Sequence, residues 1–146
     1  MGDKSLKLQI SIPPVEGIED IPIAAIEVLA SKMGFSPDLA QDIVQALTEA
    51  CVNAIMYTNN DADVDIVVYA THDSLMVEVR DKGKGFDPTS VPSPDFDLMQ
   101  EVGGGAGGFG LHMIKSLVDK LEIDSGPTGT VIRMSKYLKP VSSVPN

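Results

Sequence analysis

The chain has 146 residues and 43% hydrophobic content, which suits one compact domain; we assign residues 1–138 to it and residues 139–146 to a frayed tail. Its 21 acidic and 11 basic residues give a net charge of −10, which disfavours nucleic acid as a direct partner because phosphates require clustered Lys and Arg. One cysteine cannot build a disulfide framework or a zinc knuckle, and no apolar run has signal-peptide or membrane-spanning length, so we expect a cytoplasmic protein without a membrane partner.

The first half of the chain predicts one strand and two helices. Apolar and polar residues alternate from Leu6 to Ile12, as they do in a half-buried strand. The apolar residues between positions 18 and 33 fit helical periodicity, and Gly34 provides a stop. Ser36 before a proline is a strong helix start, so we expect a second helix that runs to about Tyr57.

The second half predicts two hairpins separated by a long loop and a helix. Residues 86–108 are too rich in Pro and Gly for regular structure, and a loop of this length in a small domain is typical of a functional lid. The remaining elements are an antiparallel hairpin at residues 64–70 and 75–79, a helix at residues 109–121, and a final hairpin at residues 121–124 and 130–134.

Glu49 and Asn53 lie four residues apart in the second predicted helix, so both side chains can point into the same pocket. An amide oxygen is a suitable ligand for Mg²⁺, which takes only one or two protein groups when phosphates supply the rest. A carboxylate beside that metal could polarise a hydroxyl or a water. A Glu and an Asn at this spacing are most often solvated helix surface, so the neighbouring motifs must decide whether the pair is functional.

Asp81 ends a predicted strand and is followed by Gly83 and Gly85. This places a carboxylate at a sheet edge beside bare backbone that a flat ring could approach closely. A carboxylate accepts hydrogen bonds, so it selects an exocyclic amine such as that of adenine.

The glycine run from Gly103 to Gly110 passes directly into a helix. Its amides and the helix N-terminus together offer a positive concavity for phosphates. The run is not a Walker loop, because no Gly-Lys-Ser/Thr follows it, and no strand precedes it as a dinucleotide-binding fingerprint would need.

These motifs occur in the order Glu49-x-x-x-Asn53, Asp81-x-Gly-x-Gly, Gly-x-Gly-Leu and Gly129-Thr130. This order resembles the GHKL (Bergerat-fold) ATPases, and the resemblance covers about residues 40–136. The short chain, with a strand and a helix before the Asn motif, is most similar to the anti-sigma factor serine kinases. The resemblance implies an α+β fold: a two-layer sandwich whose mixed, mostly antiparallel sheet carries helices on one face.

The resemblance also implies roles for individual residues. Asn53 would ligate Mg²⁺, and Glu49 would act as general base on the acceptor serine. Asp81 would bind the adenine amine of ATP, with Thr130 helping through a water. Gly83 and Gly85 would let the adenine ring lie close to the backbone. The backbone amides of Gly108, Gly110 and Leu111 would contact the phosphates. Residues 87–108 would form the ATP lid, which holds no Lys or Arg. The basic residue that contacts the phosphates stays unassigned, and the candidates are Lys82, Lys84 and Lys115.

By this resemblance the protein is an ATP-dependent protein serine/threonine kinase and partner-switching regulator that phosphorylates a serine on a small antagonist protein. A sigma factor or another regulated protein is a further partner that the family allows, and dimerisation is common in it. Two alternatives stay open: a non-catalytic, ATP-gated binding module, or a detached histidine-kinase-like ATPase domain, whose NAIKYT segment the Asn53–Thr58 sequence NAIMYT resembles. Glu49 distinguishes the kinase from the binding module, because a protein that only binds ATP needs no general base.

Overall fold

The structure, a computed structural model, describes residues 5–84 and 106–138, with side chains from residue 110 onward in the second segment. Gly85, most of the predicted lid and the predicted tail at residues 139–146 lie outside the described residues. The elements are β1 (Leu6–Ile12), α1 (Asp20–Met33), α2 (Pro37–Tyr57), β2 (Val64–Ala70), β3 (Ser74–Asp81), α3 (Ala106–Leu117), β4 (Lys120–Gly126) and β5 (Gly129–Tyr137).

The five strands form one sheet in the order β1-β2-β3-β5-β4. All four pairings between these strands are antiparallel, so the predicted mixed sheet is corrected to an antiparallel one within the described residues. The β2–β3 and β4–β5 pairs are short-loop hairpins, a connection that only antiparallel strands can make. The predicted α+β sandwich is otherwise confirmed.

The helices pack on one face of this sheet, and the core lies between the two layers. Strand residues that face the helices alternate with those that face away, and the helix-facing set is buried: Val64, Ile66, Val68, Leu75, Val77, Val79, Ile132 and Met134. The α2 helix contributes the largest share of the opposite layer through its apolar stripe: Ile43, Ala46, Leu47, Ala50 and Ala54. None of the described helices is long and apolar enough to cross a bilayer.

The ends of α1 and α2 follow the local sequence signals. Gly34 ends α1 in the left-handed region at φ 95°, where glycine is favoured. The hydroxyl of Ser36 accepts a hydrogen bond from the backbone N–H of Leu39 at 3.3 Å, and Pro37 occupies the first helical position. These local interactions fix where α2 begins, and hence the depth of Glu49 and Asn53 in the fold.

Two predictions differ from the structure. The third helix covers Ala106–Leu117 rather than residues 109–121, because Leu121 pairs with Met134 in the β4–β5 hairpin. Residues 106–108, predicted as the end of an irregular lid, form the first turn of this helix instead. Strand β1 has the predicted bounds, but Leu6 and Leu8 on its helix-facing side are each 38% exposed. An alternating pattern predicts which face a residue occupies, and cannot show whether another layer covers that end of the strand.

Candidate functional site

Asn53 on α2 is buried, with 7% of its surface exposed. Its side-chain amide makes no hydrogen bond to any residue that the structure describes, and no fully buried side-chain nitrogen or oxygen there lacks a partner, so solvent reaches the amide. The amide oxygen is therefore accessible to a ligand or a metal ion. Residues 5–84 and 106–138 contain no cluster of three acidic, His or Cys side chains that would hold a metal by themselves.

Glu49 lies one helical turn before Asn53 and is half-buried. Its carboxylate rests against the backbone of Gly110 on α3: a Cβ placed on Gly110 would lie 2.7 Å from Glu49 Oε1. No Lys, Arg or His of the described residues forms an ion pair with Glu49 within 4 Å. Within the described residues, the packing of α3 against α2 therefore places a carboxylate without an ion-pair partner beside the helix that contains the end of the glycine run.

Asp81 is the last residue of β3 and lies on the helix-facing side of the sheet, in line with Val77 and Val79. Its carboxylate accepts a hydrogen bond from the backbone N–H of Gly83 at 2.8 Å. Burial raises the pKa of Asp81 above its usual range, although hydrogen bonds from the backbone of Gly83 and Thr130 oppose that rise. The carboxylate is therefore held in a fixed orientation in a partly desolvated place.

The loop after Asp81 is fastened to the C-terminal end of α2. A Cβ on Gly83 would overlap the backbone carbonyl oxygen of Tyr57, so only glycine allows this approach. The backbone N–H of Lys82 donates to the hydroxyl of Thr58 at 3.3 Å. Sequence reasoning missed Thr58, because its polar type and turn position gave no sign of a contact with residue 82.

Thr130 is buried next to Asp81, at 4% exposure, because residues 81 and 130 are directly opposite in the β3–β5 pairing. Its hydroxyl shares a hydrogen bond of 2.7 Å with the hydroxyl of Ser125. The preceding Gly129 packs so closely that a Cβ there would overlap the carbonyl oxygen of Asp81. Ser125 was also missed: only the register of the β4–β5 hairpin places it opposite Thr130.

The predicted phosphate contacts fall in two turns of α3. Gly108 lies in the first turn, where backbone N–H groups have no acceptor within the helix and are available to an anion. Gly110 and Leu111 lie in the second turn, where a helical amide donates to the carbonyl four residues earlier. Leu111 is 5% exposed and belongs to the core. Gly110 and Leu111 therefore serve to pack α3 against α2 and the core.

Helix α2 connects these features along one line. Glu49, Asn53 and Tyr57 follow each other at intervals of one turn, so the line is about 12 Å long at 1.5 Å per residue. It meets α3 at Glu49 and the loop after Asp81 at Tyr57. This arrangement suits an elongated ligand with a ring bearing an amine at one end and an anionic, metal-binding end at the other.

Comparisons with known proteins show the family of this chain. A family model described as the histidine kinase-like ATPase domain matches residues 22–136. The serine-protein kinase RsbW of Bacillus velezensis is 30% identical over 142 residues, which cover 90% of this chain and 85% of the relative. RsbW of Bacillus licheniformis is 33% identical over 141 residues, which cover 86% of this chain and 80% of the relative.

Two solved structures share the fold. The crystal structure of the RsbU and RsbW domains of Rv1364c from Mycobacterium tuberculosis matches with a TM-score of 0.67 at 18% identity, over 92% of this chain and 33% of that chain. The SiaB–SiaC complex from Pseudomonas aeruginosa matches with a TM-score of 0.63 at 14% identity, over 88% of this chain and 89% of that chain. With the family model spanning residues 22–136 and RsbW relatives at 30% and 33% identity, the chain belongs to the histidine kinase-like ATPase domain family.

Proposed function

We propose that this protein is an ATP-dependent protein serine kinase that phosphorylates a serine on a small antagonist protein and thereby switches its own binding partner, as an anti-sigma factor type of regulator. Its RsbW relatives are named serine-protein kinases, which supports the acceptor residue. The observation that carries the proposal is the contact of Glu49 with Gly110, because it sets an unpaired carboxylate beside the helix whose N-terminus suits phosphates.

In this proposal each residue has one task. The Asp81 carboxylate accepts a hydrogen bond from the adenine amine, and Thr130 helps to bind that amine. The backbone amides in the first turn of α3, including that of Gly108, bind the phosphates. Asn53 would hold Mg²⁺, whose chemistry would be to neutralise charge on the phosphate oxygens. Glu49 accepts the proton of the serine hydroxyl as the bond from the serine oxygen to the γ-phosphorus forms and the bond to the leaving ADP oxygen breaks.

Partner switching follows from the charge of the product. A phosphoserine carries about −1.5 to −2 charges at neutral pH, and this chain has a net charge of −10. Like-charge repulsion therefore lowers the affinity for the phosphorylated antagonist, and this protein can then bind another partner. A nucleotide-gated binding module would use the same ring and phosphate contacts, but it would have no use for the carboxylate of Glu49.

The proposal is tested by incubating the purified protein with Mg²⁺, γ-labelled ATP and an extract of its host cells, and by identifying labelled proteins and the modified residue by mass spectrometry. We expect one small protein labelled on serine. The isolated labelled protein then serves as substrate for Glu49→Gln, which should bind ATP with wild-type affinity and transfer phosphate about 10²- to 10⁴-fold more slowly.

The matched control is Glu27→Gln, which makes the same change at an exposed position on α1 and should transfer at the wild-type rate. Absence of any serine phosphorylation by the wild-type protein contradicts the kinase assignment. Full activity of Glu49→Gln contradicts the assignment of the base.

A further inference from the structure

Two exposed apolar side chains lie beside the proposed base on the solvent side of α2. Val52 is 37% exposed and Met56 is 61% exposed. Val52 follows Glu49 by three residues and Met56 follows it by seven, so both lie on the part of the helix surface that carries Glu49. The Cβ atoms of residues three apart on a helix are separated by about 5–6 Å. An apolar surface therefore adjoins the Glu49 side chain directly.

Helix α3 continues this apolar surface on the other side of Glu49. Gly110 contacts the Glu49 carboxylate, and Met113 follows Gly110 by three residues, so it lies on the same side of α3. The Met113 side chain is partly exposed. Methionine side chains adapt their shape to a partner surface, as binding surfaces for varied protein segments require. None of the roles proposed above for ATP needs Val52, Met56 or Met113.

The acceptor segment of the substrate has to pass over this surface. A general base takes a proton at hydrogen-bond distance, about 2.6–3.2 Å between heavy atoms, so the acceptor serine has to reach Glu49 itself. An extended segment advances about 3.3 Å per residue, so the residues one or two positions from that serine lie about 3–7 Å from it. Val52 is at this distance from Glu49. Apolar side chains that flank the serine are therefore placed to cover the exposed apolar side chains of α2 and α3.

The charge beside Val52 is negative. A short connection joins α1 to α2, so the two helices run side by side in opposite directions. The pKa of the Cys51 thiol is raised to about 12 by burial and by the charge of Glu19, which places the start of α1 near Cys51. Asp20, the first residue of α1, is exposed and forms no ion pair with any described residue. Lys32, the only basic residue of these two helices, is about 18 Å farther along α1.

We propose that Val52, Met56 and Met113 form the docking surface for the acceptor segment of the protein substrate, and that this segment carries apolar side chains and a Lys or Arg near its serine. The inference rests on the proposed kinase function and adds the surface and the chemistry of substrate recognition. The Lys or Arg of the segment is attracted to Asp20. Phosphorylation adds negative charge close to Glu49 and Asp20, so the product is repelled from the surface that bound the substrate.

The apolar part of the proposal is tested with the unphosphorylated form of the protein identified in the labelling experiment. Its KM and kcat are measured together with the affinity for ATP. A double variant with Val52→Gln and Met56→Gln should raise KM for that protein about tenfold, with kcat and ATP affinity within about twofold of wild type.

The matched control removes two exposed apolar side chains from α1 instead. Ile21 and Val28 are exposed by 57% and 55%. Ile21 comes two residues after Glu19, which turns it about 200° around α1 and away from α2, and Val28 is two turns farther on the same side. A double variant with Ile21→Gln and Val28→Gln should therefore leave KM unchanged.

The charge part is tested with Asp20→Asn. This variant should raise KM about threefold at low ionic strength, and the difference from wild type should vanish at high salt because exposed charges are screened. The control is Asp38→Asn, which removes an acidic residue from the first turn of α2, about 21 Å along the helix from Val52. That variant should keep the wild-type KM at both salt concentrations.

Each other outcome has a definite meaning. A wild-type KM for the α2 double variant, or an equal rise for the α1 double variant, overturns the docking surface while leaving the kinase function in place. A loss of ATP affinity in the α2 double variant assigns these side chains to the nucleotide and also overturns it. A wild-type KM for Asp20→Asn at low salt overturns the requirement for a basic residue. Failure of the wild-type protein to phosphorylate any protein overturns the kinase function first, and the docking inference with it.

Discussion

Glu49 on α2 and Gly110 on α3 are in direct contact, because Gly110 has no side chain to hold the two helices apart. A Cβ on Gly110 would lie 2.7 Å from Oε1 and 3.2 Å from Cγ of Glu49. Contacts under 3.0 Å require something to move, and the Glu49 side chain is the flexible partner. The position of the carboxylate thus depends on a glycine in another helix.

Gly110→Ala is expected to separate catalysis from stability. The alanine would displace the Glu49 carboxylate by about an ångström, and a misplacement of that size can slow a reaction about 10²-fold. The same change should stabilise the fold by up to about 1 kcal/mol, since alanine is the better helix former. Phosphoryl transfer and thermal unfolding, measured on the same preparation, check both expectations.

The matched control for this change is Gly126→Ala, because a Cβ at Gly126 would meet no atom within 4 Å and its φ is not in the left-handed region. That variant should keep wild-type activity. If Gly110→Ala also retained full transfer, the carboxylate position would not limit the reaction.

Gly83→Ala is expected to lower both stability and nucleotide affinity. Here the Cβ would overlap the backbone carbonyl of Tyr57, which cannot rotate away as a side chain can. Overpacking of this kind costs about 1–3 kcal/mol of unfolding free energy, and it would shift the loop that orients Asp81. Urea unfolding and calorimetric ATP titration measure the two effects; a fully stable, ATP-binding variant would show that the loop tolerates a side chain there.

The affinity for ATP is expected to depend on the ionisation of Asp81. Its pKa is raised by burial, so the free protein loses stability as pH rises and the carboxyl ionises. A bound adenine amine would favour the charged form, so ATP affinity should be highest above the raised pKa and fall as pH falls through it. Asp81→Asn removes the charge and should abolish ATP binding.

The control for this pH dependence is inosine triphosphate, which has the same triphosphate and lacks the exocyclic amine. A hydrogen bond to a charged group contributes about 1.5–3 kcal/mol, so ATP should be preferred by about 10- to 150-fold at neutral pH. Isothermal titration of both nucleotides over a pH series should show this preference shrinking on acidification. A preference that stayed constant would mean that Asp81 does not contact the amine.

Arg133→Gln is expected to destabilise the sheet on the side away from the helices. Glu78 is only 2% exposed, and Arg133 donates to its Oε2 through Nε at 3.0 Å and Nη2 at 2.8 Å, while Arg80 donates once to Oε1 at 2.8 Å. Loss of the two hydrogen bonds to Oε2 should lower the unfolding free energy by about 1.5–3 kcal/mol, because Arg80 still pairs with the other oxygen. Arg80→Gln should cost less, since Arg80 is 45% exposed and makes one bond.

The contact between Glu78 and Arg133 also predicts how the stability of the fold depends on pH. Burial alone would raise the pKa of Glu78, but the hydrogen bonds from Arg80 and Arg133 hold it below its usual range. The stability it contributes is therefore present above the unfolded pKa and is lost as pH falls through the folded pKa. Arg133→Gln should move the midpoint of acid unfolding to higher pH, as followed by circular dichroism. Equal midpoints for the two proteins would contradict this role of Arg133.

The sequence alone determined the features that depend on neighbouring residues. Ser36 and Gly34 mark helix ends through caps made within a few residues, and the apolar segments at residues 64–70 and 75–79 predict the two strands that the structure pairs as a hairpin. The order of the Glu49, Asp81 and Gly129 motifs was enough to indicate the family, which the comparisons confirm.

The tertiary structure decided the contacts between distant segments. The approach of Gly110 to Glu49 depends on how α3 packs on α2, and the hydrogen bond of Lys82 to Thr58 depends on how the loop after β3 meets the end of α2. The Ser125–Thr130 pair depends on the register of the β4–β5 hairpin. Backbone propensity extends over a few residues, whereas these contacts depend on helix packing and strand register, which are set by burial of the whole core. The sequence therefore predicted a set of candidate site residues, and only the fold showed what the described ones touch.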